Sequence, residues 1–286
     1  MYQISPKFQW RKGLNPSEPL KEVLKEVLKQ RTLFGMLFRN NLTAKFRHSL
    51  LGVLWLFIPP VCVLLIYVYM FSYVFKLRWP ETELSSKWSF GLAVYAGITV
   101  FSAFSESVMG SLNLLVSRAG SIKRCPFPLL LLPVSLACAN MLVSTVILLL
   151  LGVFSVISGG GFSWLSLLAF PLVVLPFLLL TIGCSWISAA LGLFFRDLGN
   201  LMGILMLLLF FSTPIFYSLK MIPESFHPLL KLNPLTPAVV NIRNIFLKGL
   251  PPDWTQIFLY YLIGIAVFQA GYCFFSAMRR RFADVV

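Results

Sequence analysis

Glu106 is a carboxylate set inside an apolar run, SAFSESVMGSL, with Ser105 and Ser107 on either side. A charged side chain at membrane depth is costly and marks a candidate for guiding an ion, a proton or a substrate. Glu106 falls near one end of its run, so a solvated or hydrogen-bonded structural carboxylate stands beside that reading. The other chemistry-bearing residues form no catalytic set. There are two histidines, His48 and His227, and five cysteines (Cys62, Cys125, Cys138, Cys184, Cys273) without the C-x-x-C or Cys/His spacing of a redox or zinc site. The patterns G-x-x-x-x-G-K-S/T, G-x-S-x-G and H-E-x-x-H are absent, which removes P-loop nucleotide hydrolysis, the hydrolase elbow and the zinc protease. Neither a clustered polar face for a transferase nor an acid–base relay for proton coupling is present. The chain is expected to carry no catalytic residue, no metal and no cofactor of its own.

Those residues must be positioned by membrane helices. The chain is 58% hydrophobic and 12% charged, with a mean hydropathy of +0.84, whereas soluble domains run near about 45–50% apolar and about 25% charged. From Cys125 to Phe195 there is no Asp, Glu, Lys or Arg, enough apolar chain for two spans with a turn at Gly159-Gly160-Gly161. The fold class expected is all-α integral membrane. Six transmembrane helices fall at about residues 50–75, 89–112, 127–158, 164–195, 199–218 and 254–276, inside a domain of residues 50–277. A basic arm (residues 1–49) precedes it and a short tail (278–286) follows. No cleavable signal pattern opens the chain, so span one is expected to act as the targeting signal.

Charge sets the sides. Of 24 Lys and Arg, seventeen lie in residues 1–49, in the turn after span two, at Arg196 and in Arg279–Arg281, all on alternate sides of the spans from the other seven. This asymmetry places both termini in the cytoplasm. The net charge of +14 then reads as topology and anionic headgroups rather than nucleic acid. In residues 14–34, Leu20, Val23, Leu24, Val27 and Leu28 repeat on one helical face while Lys21, Lys25 and Lys29 lie on the other. Such a helix suits the membrane interface or a protein partner, with Ser17 or Asn15 as its cap. Arg39, Lys45, Arg47 and His48 lead from it into span one.

Two further stretches invite a reading. In the outer half of span one Tyr67, Phe71 and Phe75 share a face, and Tyr69 and Tyr73 share another. They suit an interfacial aromatic belt or a lining that packs on the C–H faces of sugars. After the Arg196-Asp197 elbow and span five, the segment 222–249 is broken by Pro223, Pro228, Pro234 and Pro237 yet stays apolar. Broken backbone at membrane depth is tolerated only beside protein or a wet cavity. Thr236 can cap a short helix there and Gly249 can end it. Asn241, Asn244 and Lys248 fall on one face of that helix, and Val239, Ile242 and Phe246 fall on the other. The segment, with Asn233 in its KLNPLTP stretch, is expected to be re-entrant or to lie at the outer surface.

Several motifs in order resemble a known family. FRNNLTAKFRHSLLGVLW (38–55), with Ser49, Leu51, Gly52 and Trp55, resembles the opening of the permease subunits of ABC transporters that export cell-surface polysaccharides. SIKRCPFPLLLLP (121–133) looks like that family's Lys-x-x-x-Pro segment, altered by Arg124 and Cys125. FFRDLGNL, STPIFYSLKMIPE, KLNPLTPAVVNIRNIFLKG and the terminal RFADVV are similar to its elbow, broken outer segment and end.

The resemblance implies a homodimer in the inner (cytoplasmic) membrane, joined to two cytoplasmic ABC ATPase subunits that hold ATP and Mg. It implies export of a lipid-linked, O-antigen-like polysaccharide on undecaprenyl pyrophosphate. It would make Asn113, Ser117, Arg118, Lys123 and Arg124 the ATPase-coupling turn, and Arg39, Lys45, Arg47 and His48 a site for the carrier pyrophosphate. Tyr67, Phe71, Phe75 and Glu106 would line the conduit, and Pro223, Asn233, Pro234, Pro237, Asn241 and Asn244 would form its outer lip. The rival readings are an ABC exporter of another substrate (teichoic acid, capsule, lipid or drug) and a membrane-bound glycosyl- or acyltransferase.

Overall fold

Prolines and glycines decide where the helices of this chain start, stop and touch. A computed structural model describes residues 18–44, 52–76, 88–118, 128–159, 161, 163–195, 197–218, 223, 225, 230 and 232–285. Two helices open it, α1 (Pro19–Lys29) and α2 (Arg31–Thr43). A 3-10 turn (Gly52–Leu56) leads into α3 (Ile58–Val68), which continues as a π turn over Tyr69–Val74. The long helix α4 (Ser89–Leu112) is followed by the four-residue α5 (Leu114–Ser117). Next come α6 (Leu131–Ile157), α7 (Trp164–Phe194) and α8 (Leu198–Ser212). The short α9 (Thr236–Arg243), extended by a π turn over Asn244–Lys248, precedes α10 (Trp254–Val285). Among the described residues there is no strand.

Among the described residues, four helices are long and apolar enough to cross a bilayer: Ser89–Leu112, Leu131–Ile157, Ser166–Phe194 and Trp254–Arg279. The other two expected spans are shorter, Ile58–Val74 and Leu198–Ser212. At 1.5 Å per residue they reach roughly 25 and 22 Å, against about 30 Å of hydrocarbon. Each shortening has a local cause. Pro59 and Pro60 supply no N–H, so the chain before Ile58 winds as a 3-10 turn instead of joining α3. Thr213 turns extended (φ −85°, ψ 137°) because the residue before a proline, here Pro214, is disfavoured in the α region. By contrast α7 runs unbroken through Pro171 and Pro176, and α10 continues past residue 276 through most of the expected tail.

The bundle is assembled on backbone contact. In lipid there is no hydrophobic drive between helices, so small residues that let backbones meet carry the packing. The most extensive seam joins α7 to α10. A Cβ on Gly183 would sit 2.5 Å from the Val267 carbonyl oxygen, and one on Gly264 would sit 2.7 Å from that of Pro176. Gly271 meets the Gly183 carbonyl, and Gly192 meets that of Leu112 on α4. Trp186, fully buried, donates from Nε1 to the Leu130 carbonyl (3.1 Å) and packs on Phe268 and Tyr272. Between α4 and α6 lies a polar seam in which Asn140 Nδ2 donates to Ser107 Oγ (3.1 Å).

The amino-terminal arm departs from the single amphipathic helix expected over 14–34. The chain breaks at Gln30 (φ −115°) and the cap position of α1 is Glu18, while Ser17 and Asn15 lie outside the described residues. The apolar face divides as well. Val23 and Leu37 join a cluster with Leu115, Leu129 and Phe282, and Val27 packs against it. Leu20, Leu24 and Leu28 stay exposed. Asn41 Nδ2 donates to Ser135 Oγ (3.1 Å), so α2 is fastened near the start of α6.

Candidate functional site

Arg243 organises the Ser89 end of the bundle. It is the last α residue before the π turn, and it is 4% exposed. Its Nε donates to the Ala93 carbonyl (2.8 Å), Nη1 to that of Pro214 (2.5 Å) and Nη2 to that of Ile215 (2.6 Å). Pro214 and Ile215 belong to the stretch after α8 that has left the helix, so their carbonyls lack the i+4 donors a helix would supply. A planar guanidinium with five donors can serve three acceptors on two elements at once. Gly97 makes the room, since a Cβ there would lie 2.7 Å from Nη2.

The asparagines of the same region are structural fasteners. Asn233, 6% exposed, donates from Nδ2 to Thr213 Oγ1 (2.9 Å) and Ser212 Oγ (3.3 Å). Its Oδ1 accepts from the Leu235 N–H (2.9 Å), which closes the turn before Pro237. Thr236 is therefore the first helical residue and Leu235 holds the cap position, because the asparagine side chain has already closed the turn. Asn241 Oδ1 accepts from the Asp253 N–H (2.9 Å), pinning the start of α10. The Asn244 carbonyl accepts from Gly249 and Leu250 as Gly249 takes the left-handed conformation (φ 63°).

These bonds correct the expected two-faced helix. Asn241, Val239, Ile242 and Phe246 are all buried, so the segment is inserted between α4, α6 and α7 rather than lying with one face outward. Phe246 fills the space left by Gly152 and stacks edge-on to Phe170 at 5.1 Å. Ser166 Oγ donates to the Gly249 carbonyl (2.9 Å). The start of α4, the turn between α6 and α7, the end of α8, α9 and the start of α10 thus meet at one end of the bundle. Pro234 and Pro237 are half-buried there and Pro223 is exposed, while Pro228 lies outside the described residues.

The aromatic face of span one reaches the same end. Tyr67, Phe71 and Phe75 form a ladder with centroids 6.0 and 5.9 Å apart. Phe71 also meets Phe90 at 5.0 Å and Phe216 at 6.3 Å, and Tyr67 meets Tyr95 at 6.2 Å. Tyr67 and Phe71 are therefore packed on α4, whereas Phe75 remains exposed, as do Tyr69 and Tyr73. Glu106 is exposed on α4, roughly 16 Å beyond Tyr95 at 1.5 Å per residue. The four expected lining residues do not converge on one spot within this chain.

At the opposite, Leu112 end, α4 runs directly through exposed Asn113 into α5 and exposed Ser117. Arg118 is half-buried, and burial pushes its guanidinium below the ordinary arginine value. Leu115 anchors the turn in the cluster that also holds Val23 and Leu37, so the arm and the turn share one footing. Arg39 is exposed in the second half of α2. Lys45, Arg47, His48, Lys123, Arg124 and Arg196 lie outside the described residues. No group of His, Cys, Asp and Glu fit to hold a metal occurs among the described residues.

Arg243 was missed by sequence reasoning, which counted it as one more outward charge. The signal was an arginine at the centre of the apolar run AVVNIRNIFL, a residue type seldom buried without a set of acceptors.

Comparison with known proteins covers most of this architecture. The profile for the ABC-2 type transporter family matches residues 32–247. The O-antigen export system permease protein RfbA of Myxococcus xanthus is 30% identical over 266 residues, 92% of this chain and 99% of its own length. An RfbA of Klebsiella pneumoniae is 27% identical over 256 residues, 89% of this chain and 95% of its own. The polysialic acid transport protein KpsM of Escherichia coli is 24% identical over 220 residues, 77% and 83% of the two chains.

Proposed function

The chain belongs to the ABC-2 type transporter family, and from that premise we propose that it is the permease subunit of an ATP-driven exporter of a lipid-linked, O-antigen-like polysaccharide. The observation that carries this reading is similarity along nearly the whole chain to permeases named for O-antigen export, with a polysialic acid transport protein beside them. The architecture suits it: four bilayer-length helices among the described residues, and a proline-broken segment inserted at one end. Two copies of this chain form the conduit, and two separate cytoplasmic subunits bind ATP and Mg and supply the work.

Charge asymmetry puts the Leu112 end, with the arm and the Asn113–Arg124 turn, in the cytoplasm against those ATPases. The Ser89 end, with the α9 segment, then faces outward as the exit lip. Basic residues of the arm and its continuation, Arg39, Lys45, Arg47 and His48, meet the pyrophosphate of the carrier, a dianionic group suited to cationic donors. Phe75 and Glu106 are the lining residues of this chain that stay exposed and open to the substrate.

Depletion tests the proposal. Cells losing the protein should accumulate a lipid-linked polysaccharide on the cytoplasmic side, and a P-loop ATPase should co-purify with the chain. Normal surface polymer after depletion would refute it in favour of an exporter of small lipids or drugs.

A further inference from the structure

We infer that Arg243 is the positioning residue through which movement of α4 reaches the exit lip; the inference rests on the transport reading above. Three observations carry it. The first is connectivity. Helix α4 spans 24 residues, about 36 Å at 1.5 Å per residue. One end passes into the Asn113–Arg118 turn and the other carries the Ala93 carbonyl that Arg243 grips at 2.8 Å. The second is what the same guanidinium grips besides α4. Its two remaining nitrogens hold the Pro214 and Ile215 carbonyls, the non-helical backbone just after α8. One side chain therefore ties a long rod to two pieces of broken backbone, the α9 helix that carries it and the 213–217 stretch.

The third is that the bonds of Asn233, Asn241 and Ser166 run to elements other than α4, which also meets the lip by apolar packing. Asn233 holds the 213 stretch to the turn before α9 through Ser212 and Thr213, but it makes no bond to α4. Asn241 and Ser166 fasten the far end of the segment to α10 and α7. Arg243 bonds the α4 backbone and the lip at once through one side chain. Gly97, one turn beyond Ala93, is shaped for it, because any Cβ would press on Nη2 at 2.7 Å. A shift of α4 at its cytoplasmic turn is thereby delivered to Pro214 and Ile215 through a rigid planar fork. A lysine ammonium carries a comparable charge but is a single point, so it can hold one or two of these carbonyls and transmits only part of the motion.

The test uses the purified complex of this chain with its ATPase subunits in proteoliposomes loaded with lipid-linked polysaccharide. It reads polymer exported per ATP hydrolysed, beside complex yield. Arg243→Met is expected to lower that ratio at least tenfold with ATP hydrolysis within twofold of the parent. Arg243→Lys should lie between them. Gly97→Ala keeps the charge and displaces the guanidinium, so it should also uncouple, and it serves where Arg243→Met yields no complex. An unchanged ratio in Gly97→Ala and Arg243→Lys would overturn the inference, as would a proportional fall of yield, hydrolysis and export, which marks a packing role. Failure of the parent complex to export any polymer would instead refute the transport reading itself.

Discussion

Replacing Gly183 by alanine probes the seam that holds the bundle together. The added Cβ would lie 2.5 Å from the Val267 oxygen, 2.7 Å from its carbonyl carbon and 2.9 Å from the Phe268 Cα. A relaxed C···O contact is about 3.3–3.6 Å, so α7 and α10 must part by roughly 0.8 Å. The obstacles are backbone atoms, which cannot swing aside as a side chain would. Gly264 against Pro176 and Gly271 against Gly183 close the same seam on either side, so the strain cannot be relieved by sliding. A gap of this size forfeits about a quarter to a half of each local dispersion contact, and overpacking costs about 1–3 kcal/mol. Alanine returns up to about 1 kcal/mol in helix propensity. The net expected is about 1–2 kcal/mol of destabilisation, a factor of about 5–30 in the folded-to-unfolded ratio. Gly203 on α8 is the control, because a Cβ there meets nothing within 4 Å. Its alanine variant should be neutral or gain a few tenths of a kcal/mol. Unfolding in mixed micelles with increasing SDS measures both. If Gly183→Ala is as stable as Gly203→Ala, the idea that backbone contact holds α7 to α10 is wrong.

Three other outcomes are expected. Trp186→Phe keeps the ring stacking on Phe268 but leaves the Leu130 carbonyl without its Nε1 donor; it should cost about 1–3 kcal/mol in the same unfolding assay, and an unchanged midpoint would mean that the bond contributes nothing. Charge reversal at Arg118, or at Lys123, should cut recovery of the ATPase in pull-downs at least tenfold with membrane insertion intact; equal recovery and equal export would remove the coupling assignment. Phe75→Ala should lower export several-fold at constant membrane yield, since Phe75 is the exposed rung of its ladder; if yield falls in step, Phe75 belongs to the interfacial belt.

Helix type and approximate position were legible because hydropathy and proline placement act locally. Runs such as Ser89–Leu112 and Leu131–Ile157 announce themselves by composition. Their ends are set by short-range rules as well, and Thr213 leaves the helix before Pro214 for a reason readable in two residues. What could not be read was pairing. The role of Arg243 depends on Ala93, 150 residues away, and on a gap at Gly97 that looks like any other glycine. The division of the α1 face is similar. Leu20, Leu24 and Leu28 match Val23 and Val27 in hydropathy, and only the position of α10 and α6 decides which of them is covered. The broken segment was recognisable from its prolines, but its insertion among α4, α6 and α7 depends on partners far apart in sequence: Arg243 on Ala93, Phe246 against Gly152 and Ser166 on Gly249.

We propose that this chain is a passage whose work comes from another subunit. The most direct measurement compares proteoliposomes holding this chain alone with those holding it together with its P-loop partner, each supplied with lipid-linked polysaccharide and ATP. The expected result is no ATP hydrolysis and no export from the chain alone, and ATP-dependent appearance of polymer on the far side once the partner is added. ATP hydrolysis by the chain alone, or hydrolysis by the pair with no polymer crossing, would contradict it.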